Sequence, residues 1–128
     1  MTVVAVGYVP STQTAITAET VVATLPFFGE AVGVGIQHVI RGFVNLSIGA
    51  TSTAITIRVR SGATTAGTLI GVADATTIPV SSAVSIPFGA VDTAVFPAGN
   101  QYCVTVACAN AVTPLDALIE LEILSPAL

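Results

Sequence analysis

The chain is short of charge. Only 8% of its 128 residues are charged, against roughly 25% in an ordinary soluble domain. There is no lysine, and the three basic residues, Arg41, Arg58 and Arg60, are outnumbered by seven acids, which gives a formal net charge of -4. Because contacts with phosphate need a basic patch, this composition argues against nucleic acid as a direct partner.

Long uninterrupted apolar runs are also missing, although 53% of the residues are hydrophobic. The longest stretch without charge, Thr93–Leu115, is broken by two prolines, a glycine and several amides. A membrane-spanning helix needs about 20 mainly apolar residues without such breaks. We therefore expect no membrane partner.

The residues that carry most enzyme chemistry are scarce. His38 is the only histidine, and it lies among apolar residues with no acid nearby in the sequence. Cys103 and Cys108 are five residues apart on one predicted strand, so they point to opposite faces and match no zinc-ligand spacing. There is no glycine-rich phosphate loop followed by a lysine. The sequence predicts a protein that is not an enzyme and needs no cofactor or metal.

What the chain does contain is residues that favour strands, mainly valine, isoleucine and threonine. The clearest pattern lies in Thr51–Gly71, where Ile55, Ile57 and Val59 alternate with Thr56, Arg58 and Arg60 before a turn-like segment rich in glycine and small hydroxyl residues. A period of two indicates a strand with one buried and one exposed face. No stretch has a helical period, so the fold class is all-β.

Similar patterns predict about eight strands, or nine if Gly42 divides the third. Turns are expected at Asp74–Thr77 and Asn110–Pro114, and Pro87 is expected to end the sixth strand. The candidate strands are Thr2–Val9, Ile16–Thr24, Ile36–Ile48, Thr53–Arg60, Thr68–Val72, Val80–Phe88, Tyr102–Cys108 and Ala117–Leu124.

So few charges leave much apolar surface, which in soluble proteins usually marks an interface. We therefore expect other subunits to cover part of it. Val39 and Phe43 share the mixed face of the third strand with polar residues, which suits partial burial against a neighbouring subunit. Phe27 and Phe28, in a glycine-rich loop, either close one end of the core or contact a partner.

Three segments carry a family resemblance: TAITIRVRSGATTAGTLIG, FPAGNQYCVTVAC and the final ALIELEIL, with a strand that alternates serine and valine between the first two. Together they resemble the small jelly-roll structural proteins of viruses, most of all the capsid decoration (cement) and head-fibre proteins of tailed phages. The resemblance implies a non-enzymatic virion protein, commonly a homotrimer, that binds the major capsid protein or other virion proteins. Two alternatives stay open: a single jelly-roll major capsid protein, and a receptor- or carbohydrate-binding head domain of a fibre.

The resemblance also implies a layout. Residues 1–15 form an N-terminal strand or arm, and residues 16–128 form a single eight-stranded antiparallel jelly-roll sandwich. In a jelly roll the two sheets order their strands B-I-D-G and C-H-E-F. With Ile16–Thr24 as B, Thr53–Arg60 as D and Ala117–Leu124 as I, two cross-strand charge pairs follow, in which Arg58 and Arg60 face Glu120 and Glu122. They represent either a solvated face or a contact between subunits.

Overall fold

Eight β-strands make up the regular structure of the described residues. The computed structural model describes residues 2–9, 14–25, 37–49, 53–78, 83–92 and 101–124. The strands are β1 (Thr2–Val9), β2 (Thr20–Thr24), β3 (Gln37–Ile48), β4 (Thr53–Ser61), β5 (Leu69–Ile78), β6 (Ala83–Asp92), β7 (Tyr102–Cys108) and β8 (Val112–Leu124).

The strands form two four-stranded sheets. Sheet I has the order β1-β8-β3-β6, sheet II has the order β2-β7-β4-β5, and every pairing is antiparallel. Lettered B to I in chain order, these sheets read B-I-D-G and C-H-E-F. The all-β, eight-stranded jelly-roll sandwich predicted from the sequence is therefore confirmed.

The N-terminal strand has a different place from the one expected. It is not an extra strand or arm outside the sandwich, because β1 pairs with β8 from Thr2–Ile123 to Val9–Ala117 and is itself strand B. Within Ile16–Thr24, only Thr20–Thr24 forms a strand, while Ile16 makes an isolated bridge to Val112. β2 therefore becomes strand C and β4 becomes strand E, while β8 is strand I as expected.

The core lies between the sheets and follows the alternation visible in the sequence. On β4, Ile55, Ile57 and Val59 are buried, while the arginines that alternate with them face outward. Inward residues of other strands complete a mainly apolar layer that includes Ile40 of β3 and Val104 of β7. Burying a side chain of this size stabilises the fold by about 1.5–3 kcal/mol.

Three expected strand ends were wrong. Residues 74–77 are part of β5, and β8 already begins at Val112. Pro87 lies within β6, which is an edge strand, so its missing N–H removes no hydrogen bond from the sheet interior. Pro114 is tolerated in β8 because it lies beyond the described β1 pairing, next to an irregularity in the β3–β8 register.

Gly42 does not divide the third strand. It lies in a continuous β3, where a Cβ atom would collide with the backbone carbonyl of Leu118 on β8. Glycine here allows the two central strands of sheet I to approach closely. In the described part of the chain no helix is long and apolar enough to cross a membrane.

Candidate functional site

The outer face of sheet I presents rows of side chains that run across all four strands. The strand register places Pro87, Phe43, Leu118 and Tyr8 in one row, from β6 to β1. Residues paired in neighbouring strands point to the same side of a sheet. The row is therefore apolar from one edge of the sheet to the other, apart from the Tyr8 hydroxyl.

At the β6 side of this face, four apolar residues form what we call the β3–β6 patch: Val39, Phe43, Pro87 and Val91. Val91 is 51% exposed and lies opposite Val39. Val39 and Phe43 are half-buried, and Pro87 is exposed. Val39 and Phe43 thus lie on the face where the sequence placed them, and their contact with another subunit stays a prediction. Phe27 and Phe28 lie outside the described residues.

Arg41 supplies the positive charge of this face. Its guanidinium contacts Glu120 at 3.6 Å (Nε to Oε2) and also contacts Glu122. Arg41 is about half exposed, whereas the side chain of Glu122 is 4% exposed. The predicted partners of these two glutamates, Arg58 and Arg60, were wrong. Strands β4 and β8 belong to different sheets, so those residues cannot face each other.

The β1 side of the same face carries a polar group that we call the Tyr8 cluster: Tyr8, Asn45 and Asp116. The Tyr8 hydroxyl donates to Asp116 Oδ2 at 3.2 Å, and the Asn45 side-chain amide donates to Asp116 Oδ1 at 2.6 Å. The hydrogen bond to Asp116 raises the pKa of Tyr8, with smaller contributions from desolvation and from the Asp116 charge. Tyr8 as a whole residue is 53% exposed. It therefore stands beside a carboxylate that two donors hold in place.

Sequence reasoning missed this cluster. Its three members lie on β1, β3 and β8, so Asp116 is 108 positions from Tyr8 and 71 positions from Asn45 in the sequence. The useful signal was the position of Tyr8 on Thr2–Val9, but that strand reads as apolar on both faces. Only the pairing of β1 with β8 reveals that Tyr8 faces outward, opposite Leu118 and near Asp116.

The outer face of sheet II is organised around Glu19. Arg58 Nη1 donates to Glu19 Oε1 at 3.1 Å, Arg60 Nη2 donates to the same oxygen at 2.9 Å, and the Thr105 hydroxyl donates to it at 3.0 Å. Arg60 also donates to the Gly67 carbonyl at 2.9 Å, which ties the β4–β5 turn to the sheet. Both arginines that the sequence pattern singled out are therefore used within the chain.

The pKa of Glu19 reflects a competition. Partial burial alone raises it, but the hydrogen bonds from Arg60, Thr105 and Arg58 and the charge of Arg60 outweigh that effect, so the pKa lies below its usual value. The carboxylate form is thus the one that the fold stabilises.

A second polar group is buried between the sheets. Tyr102 donates to Asp92 Oδ2 at 2.8 Å, and His38 Nδ1 lies 2.8 Å from the Tyr102 hydroxyl oxygen. Since the hydroxyl proton points to Asp92, the Nδ1–H of His38 is the donor to Tyr102. The His38 ring also meets the Tyr102 ring edge-on, at 5.7 Å between centroids. This group is fully enclosed by the core, so it serves packing and orientation rather than surface binding.

The cysteines point to opposite faces, as their spacing predicted. Cys103 pairs with Arg60, whose side chain faces outward, whereas Cys108 pairs with the buried Ile55. Both are free thiols, and burial raises the pKa of each. Among the described residues no three His, Cys, Asp or Glu side chains are grouped so that they could hold a metal ion.

Comparisons with known proteins add little to this geometry. No protein family model matches the chain, and no curated protein matches it. One similar solved structure, described as "CBM4 structure and function", shares 14% sequence identity and aligns over 95% of this chain and 84% of its own, with a TM-score of 0.44. The features that bear on function are therefore those on the outer faces of the two sheets.

Proposed function

We propose that this chain is a non-enzymatic structural protein of a virion. It oligomerises and binds or stabilises a capsid surface, as a decoration or cement protein does. The observation that carries the proposal is the β3–β6 patch: a charge-poor protein places two cross-strand pairs of apolar side chains, Val39 with Val91 and Phe43 with Pro87, on the outer face of sheet I. Apolar patches of this kind mark protein interfaces. The jelly-roll strand order agrees with the resemblance noted in the sequence.

The patch is assigned to contacts between copies of the chain. Stable interfaces bury about 800 Å² on each partner, which is about an eighth of the 6171 Å² accessible surface. Four side chains do not supply that area alone, so the interface extends over neighbouring parts of the sheet I face. Arg41 and its two glutamates lie beside the patch, and they bring both signs of charge to such a contact. The expected assembly is a homotrimer.

The remaining surface of the trimer is then available to the major capsid protein or to other virion proteins. Direct contact with nucleic acid is not part of the proposal, because all three arginines of an acidic chain are engaged by its own glutamates. Localisation follows from the role, which places the protein on the outer surface of a capsid. Neither a membrane nor a cofactor enters this role.

The decisive experiment measures the native mass by light scattering at neutral pH and moderate salt. We expect wild-type protein at about three times the subunit mass. Val91→Glu places a charge in the β3–β6 patch and should give monomers, since burying an unpaired charge is costly. Val72→Glu is the matched control, because Val72 is 49% exposed against 51% for Val91 but lies on sheet II.

The control should keep the wild-type mass. A wild-type protein that is monomeric at tens of micromolar, or a Val72→Glu variant that dissociates as fully as Val91→Glu, would contradict the proposed interface. Binding of the trimer to purified capsid shells that lack it, measured by co-sedimentation, tests the second half of the role. A protein that forms trimers but sediments with no shells would reject the decoration role.

A further inference from the structure

All three arginines of this chain form ion pairs with its own glutamates. Arg41 contacts Glu120 and Glu122, and both Arg58 and Arg60 contact Glu19. Since the sequence holds no other lysine or arginine, no basic side chain is left to neutralise a further surface carboxylate.

Asp116 is such a carboxylate. It accepts hydrogen bonds from Tyr8 and Asn45, both neutral groups, and none of the three arginines contacts it in the described part of the chain. No basic side chain of the described residues is therefore paired with this carboxylate. An ionised carboxylate offers about four lone-pair positions, and these two donors occupy only part of that capacity.

The exposed ring of Tyr8 adds a second electron-rich surface next to this charge. A guanidinium or ammonium group over the face of an aromatic ring is attracted by the ring quadrupole. An arginine can combine the two contacts, because its planar group stacks on a ring while its N–H groups donate to a carboxylate. Lysine presents a point charge that makes one contact at a time.

We propose that Tyr8 and Asp116 form a docking site for an arginine side chain of a protein partner. The proposal rests on the function proposed above, in which the partner is a capsid surface, and it names the chemistry of that contact. Of the two residues, Tyr8 lies on β1, the strand farthest from β6, and Asp116 lies on the adjacent strand β8. Subunit assembly and partner docking therefore use different parts of the same face.

A neutral sugar is the other ligand that an exposed tyrosine suggests, and the hydrogen bonds argue against it. The Tyr8 hydroxyl proton and one Asn45 N–H already point to Asp116. What remains for a ligand is mainly acceptor capacity and a ring face, which suits a ligand rich in donors and positively charged. A sugar hydroxyl has one donor and also an acceptor, so it fills fewer of these acceptor positions and leaves its own acceptor without a donor at this site.

The test is an NMR titration of the isotopically labelled full chain with N-acetyl-arginine methylamide, which presents the side chain without backbone charges. The matched ligand is N-acetyl-citrulline methylamide, which has the same shape without the charge. We expect saturable shifts at the signals of Tyr8, Asn45 and Asp116 with the arginine probe, and at least about tenfold weaker binding of the citrulline probe. Raising the salt concentration should weaken the arginine response.

Variants locate the site. Asp116→Asn keeps the shape and should weaken arginine binding about tenfold, whereas Tyr8→Leu should weaken it about threefold to fivefold. Glu120→Gln is the control, since it removes the same charge from the same face but lies beside Arg41. It should bind the probe as the wild type does.

Three results would overturn the proposal: no localised shifts at about 100 mM arginine probe, equal binding of the two probes, or unchanged binding by Asp116→Asn. If cellotriose shifts the Tyr8 signals and the arginine probe does not, the site binds sugar instead. The light-scattering experiment stays independent of this one. A trimer without arginine binding would reject only the docking site, and a monomer with arginine binding would reject only the proposed assembly.

Discussion

At the scale of single residues, Glu19 is the shared hydrogen-bond acceptor of three side chains. One carboxylate accepts hydrogen bonds from both sheet II arginines and from Thr105, and its side chain is only 20% exposed. Removing it would leave two guanidinium groups without their shared partner, and the side chains of Arg58 and Arg60 are 30% and 16% exposed. The cluster is thus more strongly coupled than a typical surface ion pair, which is worth about 0–1 kcal/mol.

The lowered pKa of Glu19 predicts how stability depends on pH. Because the folded state binds the proton less well than the unfolded state, the stabilisation is complete above the unfolded pKa of about 4.3. It is lost as the pH falls through the lower pKa of the folded state. Glu19→Gln should therefore lower the free energy of unfolding at pH 7 and flatten its decline between about pH 5 and pH 3.

Urea unfolding at several pH values measures this effect. Glu120→Gln provides the comparison, since Glu120 contacts Arg41 at 3.6 Å and that arginine is half exposed, so solvent screens the pair. It should lose less stability at pH 7 than Glu19→Gln does. Wild-type and Glu19→Gln curves that stay parallel down to pH 3 would contradict the role given to Glu19.

The buried group of His38, Tyr102 and Asp92 could be predicted from the sequence only in part. His38 shares the strand parity of Ile40 and Val44, and all three side chains are buried. Its partners come from β6 and β7, far along the chain, so no local pattern reveals them. A sequence indicates which way a side chain points more readily than what it meets.

At the scale of strands, Gly42 controls the closeness of the β3–β8 contact. A Cβ atom there would meet the Leu118 carbonyl, whereas a Cβ atom at Gly89 on β6 would meet nothing within 4 Å. Both glycines lie in sheet I, and Arg41 of β3 pairs with Gly89. They make a matched pair for testing close approach.

Gly42→Ala should destabilise the fold by about 2 kcal/mol or more, because backbone atoms of two central strands must separate. Gly89→Ala should be neutral or stabilise by up to about 1 kcal/mol, since alanine restricts the unfolded chain and meets no obstacle here. Chemical denaturation of both variants measures the difference. Equal effects of the two substitutions would show that sheet I adjusts freely around Gly42.

Strand prediction succeeded for β7, whose residues alternate in the sequence although both of its faces are largely buried. Tyr102–Cys108 was predicted with its observed bounds. The turn expected at Asp74–Thr77 was wrong because β5 continues through these residues to Ile78, and polar residues within a strand resemble a turn signal when read alone. The predicted pairing of Arg58 and Arg60 with Glu120 and Glu122 was wrong for a different reason. It depended on which strands are neighbours, and counting Thr2–Val9 as an arm placed Arg58 and Arg60 in the wrong sheet.

At the scale of the whole molecule, the two sheets differ in how they meet solvent. Sheet II carries a charge cluster fastened by Glu19, whereas sheet I carries the β3–β6 patch at one side and the Tyr8 cluster at the other. The low charge of the sequence predicted that some surface would be covered. It could not predict on which sheet an apolar patch lies, because that depends on the order of the strands.

An assembly held together by the β3–β6 patch should couple folding to association. If subunits unfold as they dissociate, the melting temperature rises with protein concentration, because mass action favours the folded trimer. A tenfold increase in protein concentration raises the free energy of unfolding by about 0.9 kcal/mol per subunit, because a trimer has two association steps for three subunits. For a chain of this size that corresponds to a rise of about 3 °C.

Far-ultraviolet circular dichroism over a hundredfold range of concentration can detect such a rise. Val72→Glu should retain the dependence, because the sheet II face is not part of the proposed interface. Val91→Glu should melt at one temperature throughout, at or below the lowest wild-type value, since its folded form gains nothing from association. If the wild type also melts at a constant temperature, each subunit is stable alone, and the apolar patch on sheet I is tolerated in water rather than buried.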